Sequence, residues 1–202
     1  MIAVVDYGVG NLFSLKSSLS AIRADAVITR DPAVIQNSDH VILPGVGAFG
    51  DAADKLRETG MFDLMKETAA SGKPMLGICV GMQLLFEKSM EFGEHEGLGL
   101  MKGTVDAIAP CLSRNLDIPH MGWNALHFVH PSPLFQGIRE GEFVYFVHSY
   151  AAFGCEDSVT AVSEYDLELT AAVQKDNVFG TQFHPEKSGE AGLRILKNFC
   201  AL

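Results

Sequence analysis

Basic residues are scarce in this sequence and never cluster. It carries 15 Lys and Arg against 25 Asp and Glu, which gives a formal net charge of -10 at pH 7. A protein that binds a nucleic-acid backbone needs a basic patch to neutralise the phosphates. The charge pattern therefore argues against nucleic acid as a partner.

Long apolar runs and a leader-like amino terminus are also lacking. Met1 leads directly into a short apolar segment and then Asp6, with no basic stretch and no small-residue cleavage site. No later apolar run approaches the roughly 20 residues of a membrane-spanning helix. We therefore expect a soluble, cytoplasmic protein without a membrane partner.

Cysteines are few and far apart. Cys79, Cys111, Cys155 and Cys200 form neither a C-x-x-C pair nor a zinc-ligand pattern. A chain of 202 residues, of which 48% are hydrophobic, can bury a core without disulfides. We expect four free thiols, no metal and no cofactor, in a single domain that spans residues 1–202.

Short apolar segments alternate with helical periodicity in the first half of the chain. Strands are predicted at residues 2–6, 26–29, 40–43 and 75–78. A helix is predicted after the capping residue Asn11, because leucines recur at steps of three and four from Leu12 to Leu19. One or two helices, broken near Gly60, are expected between residues 51 and 70. Continuous apolar strands indicate burial on both faces, as in a parallel sheet covered by helices.

Helical periodicity disappears in the second half until the last residues. Strands are predicted at 142–148, 159–162, 169–173 and 178–183, with a hairpin turn at 175–177 and a final helix over 190–201. The expected fold class is α/β: a single domain with a central, mostly parallel sheet, helices on both faces and an added antiparallel β region.

The segment 77–83 (GICVGMQ) joins a predicted strand to a helix predicted to reach Glu87. A Gly two residues before and two after a nucleophile is the spacing of a strained strand-turn-helix elbow. Unpaired amides at a helix start favour negative charge, so the thiol of Cys79 is expected to ionise more readily than a free cysteine. The alternative is a buried cysteine that packs as a small hydrophobe.

A reactive cysteine needs a base, and two of the seven histidines end strong predicted strands. His148 is one of them. His184 is the other, and Glu186 follows it two residues later, where a carboxylate can turn back and hold the imidazole tautomer. The alternative for Glu186 is an ordinary surface carboxylate. The pattern predicts Cys79 as nucleophile, His184 as general base and acid, and Glu186 as the orienting group.

Cys79 in G-x-C-x-G-x-Q and His184 in His-Pro-Glu together resemble the class I, or triad, glutamine amidotransferases, which hydrolyse the side-chain amide of glutamine. The order nucleophile, His, Glu differs from that of α/β-hydrolases, where the acid precedes the His. The resemblance implies an amidotransferase domain over the whole chain. It also implies substrate binding by Gln83, Ser149 and Tyr150, and an oxyanion hole at Val46, Gly47 and Val80.

Five segments narrow the resemblance to the glutaminase subunits of imidazole glycerol phosphate synthase, in histidine biosynthesis. They are residues 6–11 (DYGVGN), 43–49 (LPGVGAF), 119–124 (PHMGWN), 145–150 (YFVHSY) and 180–188 (GTQFHPEKS). The resemblance implies a heterodimer with a (βα)8-barrel cyclase subunit that receives the ammonia, with Asn11, Met121, Trp123 and Lys187 at the interface. The alternatives are a packing role for Trp123 and a solvated charge for Lys187.

Two other interpretations stay open at this point. The chain could be the glutaminase subunit of another synthase, such as those of anthranilate or pyridoxal phosphate synthesis, and the identity of its partner would decide this. It could also be a non-catalytic interaction module with the same fold. Labelling of Cys79 by a glutamine analogue would test that second alternative.

Overall fold

The computed structural model describes all 202 residues. Its strands are β1 (Ile2–Val5), β2 (Ala26–Thr29), β3 (His40–Gly45), β4 (Met75–Cys79), β5 (Lys88–Ser89), β6 (His95–Glu96), β7 (Thr104–Ala107), β8 (His120–Ala125), β9 (His127–Phe128), β10 (Phe143–His148), β11 (Tyr150–Phe153), β12 (Val159–Glu164), β13 (Glu168–Lys175) and β14 (Val178–Thr181). Its helices are α1 (Leu12–Ala21), α2 (Pro32–Asn37), α3 (Phe49–Glu58), α4 (Met61–Ala70), α5 (Val80–Gln83) and α6 (Gly189–Phe199). None of these helices is both long and apolar enough to cross a membrane.

A sheet of eight strands forms the centre of the molecule, in the order β2-β1-β3-β4-β14-β13-β12-β9. The first five strands run parallel to their neighbours, and the other three join by antiparallel pairing. α1 packs against α6, whereas α4 packs against α2 and α3. All residues of β1 and β4 are buried, as expected for parallel strands covered on both faces. The α/β fold class predicted from the sequence is therefore confirmed.

Two smaller sheets make up the added antiparallel region. β8 and β10 pair as a two-stranded ribbon, in which His120 lies opposite His148. β11, β7, β5 and β6 form a sheet of four strands. Because β10 ends at His148 and β11 begins at Tyr150, Ser149 lies at the junction of the two sheets. We refer to residues 148–150 as the β10–β11 junction.

Local sequence signals placed several element boundaries correctly. Asn11 caps α1, and its side-chain oxygen accepts a hydrogen bond from the Ser14 amide. Gly60, with a φ of 72°, adopts the left-handed conformation between α3 and α4. Asp176 and Asn177 form the turn between β13 and β14, within the predicted hairpin. Each of these features depends on interactions between residues close in the sequence.

The helix after the elbow is shorter than predicted, since α5 ends at Gln83 instead of continuing to Glu87. Residues 84–86 are all fully buried, whereas an amphipathic helix at a surface buries only one of its faces. Their carbonyl oxygens accept hydrogen bonds from the backbone amides of residues 98–101. Burial on all sides and pairing with a distant segment therefore end the helix.

The sequence predicts a strand that ends at residue 43 and a helix that begins at residue 51. The loop between these two elements is shorter in the structure. Pro44 and Gly45 continue β3, and α3 begins at Phe49, so only residues 46–48 lie between the two elements. β3 extends because its last residue still pairs with β4, where Gly45 lies opposite Cys79. The loop therefore starts directly beside the cysteine.

Candidate active site

Cys79 lies at the bend between β4 and α5, where the glycine spacing predicts it. Its φ of 55° and ψ of -114° are unfavourable for a residue with a side chain, so the elbow is strained. A Cβ on Gly77 would collide with the carbonyl of Gly81, and a Cβ on Gly81 would collide with the carbonyl of Leu43. The two glycines therefore let α5 pack directly over the strands, with Cys79 at the turn.

His184 lies beside Cys79, and Glu186 contacts His184. The 3₁₀ turn Pro185–Lys187 brings the carboxylate back, so that His184 Nδ1 lies 2.8 Å from Glu186 Oε1. Both side chains are buried, with 2% and 4% of their surface exposed. Because Nδ1 donates to the carboxylate, His184 presents Nε2 to the thiol of Cys79.

The pKa of His184 reflects these neighbours. Burial lowers this pKa, but hydrogen bonds to Cys79 and Glu186, together with the charges of both groups, outweigh burial and raise it to about 9. The raised pKa favours the protonated imidazole beside the sulfur. A protonated imidazole can donate a proton to a leaving group.

A cavity of about 340 Å³ opens in front of Cys79. It is lined by Val46, Gly47, Cys79, Val80, Gln83, Glu91, Pro119, Val147, His148, Ser149, Tyr150 and His184. The structure thus brings together the cysteine, the histidine and all six residues that the resemblance assigns to the oxyanion hole and to substrate binding. Glu186 lies behind His184 and does not line the cavity. No group of three or more His, Cys, Asp or Glu side chains is placed to hold a metal ion.

Two segments beside Cys79, residues 46–47 and Val80, line the cavity. Val46 and Gly47 follow β3, and neither amide donates to an acceptor within the chain. Gly47 has a φ of 86°, a conformation that glycine adopts without strain. Val80 is the first residue of α5, where a helix leaves its amides unpaired. Such donors can stabilise negative charge on an oxygen atom.

Gln83 is buried, and its amide is engaged within the chain. Its Nε2 donates to the Tyr150 carbonyl oxygen at 3.2 Å and to Gln182 Oε1 at 3.0 Å. Gln182 Nε2 in turn lies 3.7 Å from Cys79 Sγ. Hydrogen bonds therefore connect the thiol to the β10–β11 junction through these two glutamines.

Glu91 lines the cavity although no motif in the sequence selects it. It lies just after β5, in a charged stretch typical of a surface loop. Its Oε2 accepts a hydrogen bond from the Phe49 amide at 2.6 Å, at the first residue of α3. The two residues are distant in the sequence, so no local pattern could indicate this contact.

His148 also lines the cavity, but it is not free to act as a base. Its Nδ1 lies 2.9 Å from the Tyr150 carbonyl oxygen, and its Nε2 lies 2.9 Å from His120 Nδ1. Burial lowers the pKa of His148 to about 3. Because both ring nitrogens are engaged and the ring is neutral, His184 is the histidine available to Cys79.

Comparison with known proteins places this site in a family. Residues 3–202 match the family described as Glutamine amidotransferase class-I. The chain belongs to the class I glutamine amidotransferases. This amidotransferase is 53% identical over 202 residues to the imidazole glycerol phosphate synthase subunit HisH of Sulfurimonas denitrificans, covering 98% of this chain and 97% of that one. It is 52% identical over 200 residues to the HisH subunit of Caldanaerobacter subterraneus, with 98% and 97% coverage. The resemblance stated from the sequence is therefore confirmed.

Solved structures share the fold of this amidotransferase. A crystal structure described as glutamine amidotransferase matches with a TM-score of 0.76 at 19% identity and covers 100% of both chains. PurLQS from Thermotoga maritima matches with a TM-score of 0.74 at 22% identity, covering 98% of this chain and 96% of that one. At these identities the likeness concerns the fold alone, and it agrees with the predicted α/β architecture.

The amidotransferase exposes three of the four residues expected at an interface, which are Met121, Trp123 and Lys187. Met121 and Trp123 lie on the outward face of β8 and are 64% and 54% exposed. The Trp123 ring contacts Tyr145 edge to face, and Lys187 Nζ lies 5.5 Å from the centre of the Tyr145 ring. We call these four residues the aromatic patch. The exposure of Trp123 contradicts a role in core packing, whereas Asn11 caps α1 and lines a small cavity behind the site.

Proposed function

We propose that this amidotransferase hydrolyses glutamine to glutamate and ammonia with Cys79, His184 and Glu186 as its triad. The buried His184–Glu186 pair beside the strained cysteine carries the proposal, because nucleophilic attack on an amide needs an oriented base next to an accessible sulfur. The cavity of about 340 Å³ lies at the lower end of the range for small-molecule sites. It suits a ligand of amino-acid size.

In the first half-reaction the Cys79 thiol gives its proton to His184 Nε2, and the sulfur attacks the side-chain amide carbon of glutamine. Negative charge develops on the amide oxygen, and the amides of Val46, Gly47 and Val80 are the donors available to stabilise it. His184 donates its Nε2 proton to the leaving nitrogen. Ammonia departs, and a γ-glutamyl thioester remains on the cysteine.

In the second half-reaction water attacks the thioester carbon. His184, now neutral, accepts a proton from the water, and the bond between carbon and sulfur breaks to release glutamate. The sulfur leaves as a thiolate beside the imidazolium, and return of the Nε2 proton to the sulfur restores the triad. Glu186 holds Nδ1 throughout, which keeps Nε2 directed at the sulfur and stabilises the imidazolium.

Glutamine also carries an α-ammonium group, which needs a negatively charged partner. Glu91 lines the cavity, and the Phe49 amide uses only its Oε2, which leaves Oε1 for a ligand. We therefore assign Glu91 to the α-ammonium group, since charge-assisted hydrogen bonds are the strong ones. Ser149 and Tyr150 line the same cavity, and with Gln83 they are assigned to the rest of the substrate.

We assign the use of the released ammonia to a partner subunit. The similar proteins are HisH subunits of imidazole glycerol phosphate synthase, and this supports formation of imidazole glycerol phosphate and AICAR, in histidine biosynthesis. The partner expected from the sequence is a (βα)8-barrel cyclase subunit, bound as a heterodimer. The aromatic patch supports docking, because its Trp123 is exposed and Trp side chains supply much of the binding energy at interfaces. Asn11 and Lys187 are assigned to the same interface.

Cys79→Ala tests the proposal in the complex with the cyclase subunit. We expect glutamine-dependent synthesis to be abolished and ammonia-dependent synthesis to persist, because only the former needs the nucleophile. Cys111→Ala, at an exposed cysteine outside the cavity, is the matched control and should keep both activities. Equal loss of both activities in the Cys79 variant would contradict the triad. Failure of the wild-type chain to bind the cyclase would favour a different synthase.

A further inference from the structure

Two histidines form a buried pair behind one wall of the cavity. His120 and His148 face each other across the β8–β10 ribbon, and each is less than a tenth exposed. His120 Nδ1 lies 2.9 Å from His148 Nε2, and His148 Nδ1 lies 2.9 Å from the Tyr150 carbonyl oxygen. His120 Nε2 lies 3.2 Å from Asn124 Nδ2. His148 lines the cavity, whereas His120 does not.

These hydrogen bonds form a series from Asn124 through His120 and His148 to the Tyr150 carbonyl. Backbone groups at the two ends of the series determine the direction of every hydrogen bond in it. The Tyr150 carbonyl only accepts, so His148 Nδ1 carries a hydrogen and donates to it. At the other end, Asn124 Oδ1 accepts from the Ala125 amide, so Asn124 Nδ2 is the donor towards His120 Nε2. Nδ2 also donates to the Glu164 carbonyl, which agrees with this orientation.

Both rings are neutral, which completes the assignment of tautomers. Burial lowers the pKa of His120 to about 4 and the pKa of His148 to about 3. Each ring therefore carries one hydrogen at neutral pH, and this hydrogen is on Nδ1 in both. His120 Nδ1 donates to His148 Nε2, so that all four ring nitrogens are paired. His120 is also held in place by its packing against Phe146 and Tyr165.

The Tyr150 end of this series of hydrogen bonds is part of the proposed glutamine site. The Tyr150 carbonyl accepts from His148 and from Gln83, and all three residues line the cavity. If His120 did not donate, the buried Nε2 of His148 would have no hydrogen-bond partner. The ring would then be held on one side only, by its hydrogen bond to the Tyr150 carbonyl, and could turn away from its present position.

We propose that His120 is a positioning residue for glutamine binding: its Nδ1 hydrogen bonds to His148 Nε2 and fixes the ring position from which His148 holds the Tyr150 carbonyl at the cavity wall. This inference rests on the proposed glutaminase function. It assigns His120 no contact with the substrate. Its effect reaches the substrate through His148 and the β10–β11 junction.

Two substitutions at His120 separate hydrogen bonding from packing. His120→Phe keeps an aromatic ring between Phe146 and Tyr165 but has no donor. His120→Asn loses the ring, but its amide group can place a donor where Nδ1 lies. In the complex with the cyclase subunit we expect His120→Phe to raise KM for glutamine about tenfold, as for loss of one buried hydrogen bond, with kcat changed far less. His120→Asn should keep most of the wild-type KM.

Nuclear magnetic resonance of the full chain labelled with ¹⁵N histidine provides a readout that does not depend on activity. We expect both His120 and His148 to carry hydrogen on Nδ1 in the wild type, and the Nε2 resonance of His148 to shift towards that of an unbonded ring nitrogen in His120→Phe. Hydrogen on His148 Nε2 in the wild type would overturn the proposal, even if the Phe variant failed to fold. An unchanged KM in His120→Phe, or an equal rise in both variants, would also overturn it. Absence of glutaminase activity in the wild-type complex would instead refute the proposed function.

Discussion

Replacing Glu186 by Gln should separate the charge of the triad from its shape. Gln keeps an oxygen that can accept the hydrogen bond from His184 Nδ1, but it removes the negative charge. The surroundings of His184 raise its pKa to about 9, from an ordinary value of 6.5. At 1.36 kcal/mol per pKa unit, this shift corresponds to roughly 3 kcal/mol in favour of the protonated imidazole.

The direction of the shift sets the sign of the pH dependence. Because the pKa of His184 is raised on folding, its stabilising contribution is fully present below about pH 6.5 and is lost as the pH rises through about 9. Cys79 and Glu186 both raise this pKa. If Glu186 supplies about half of the pKa shift, the wild type should have a larger free energy of unfolding than Glu186→Gln at pH 6.5. This difference should decrease by roughly 1 to 2 kcal/mol between pH 6.5 and 9.

Urea denaturation of the full chain, followed by far-ultraviolet circular dichroism at pH 6.5 and pH 9, measures this difference. Glu190→Gln, at an exposed position in the first turn of α6, is the matched control and should leave the pH dependence unchanged. In the complex, Glu186→Gln should also lower kcat/KM for glutamine about 10²-fold, because the imidazole loses the group that orients and charges it. A difference between wild type and variant that stays constant or grows with pH would refute the reasoning.

Glu91→Gln should raise KM for glutamine about tenfold with little change in kcat in steady-state assays, because it weakens binding of substrate and transition state alike. Glu94→Gln, which lies outside the cavity, should leave KM unchanged, and a normal KM for the Glu91 variant would contradict the assignment. Trp123→Ala should weaken binding to the cyclase subunit about 30-fold in calorimetric titration, since its half-exposed ring lies in the aromatic patch. Val129→Ala, exposed elsewhere, should bind normally, and normal binding by the Trp123 variant would exclude the patch from the interface.

Features that depend on neighbouring residues could be predicted from the sequence. The elbow follows from glycines two residues on either side of Cys79, and the orienting group follows from the two-residue step between His184 and Glu186. Their meeting in one cavity is a property of the parallel sheet. β4 and β14 are adjacent in it, so the residues at their carboxyl ends lie at the same edge.

Contacts between distant segments could not be predicted in this way. Glu91 reaches the cavity by accepting a hydrogen bond from Phe49, and nothing in its charged surroundings indicates that contact. The helix after the elbow ends early because residues 84–86 pair with residues 98–101. Helical propensity describes a segment by itself, whereas these outcomes depend on tertiary burial, which overrides it.

The motif of residues 119–124 lies mostly in β8, and it contributes to an exposed and a buried surface. Its side chains alternate, with Met121 and Trp123 exposed on the outward face and His120 and Asn124 turned towards the buried hydrogen-bonded chain. A partner that contacts the outward face therefore contacts the same strand that anchors the Tyr150 carbonyl through the histidine pair. The period of two that separates these faces belongs to any strand. Strand alternation over residues 120–125 by itself therefore predicts His120 on the face opposite Trp123.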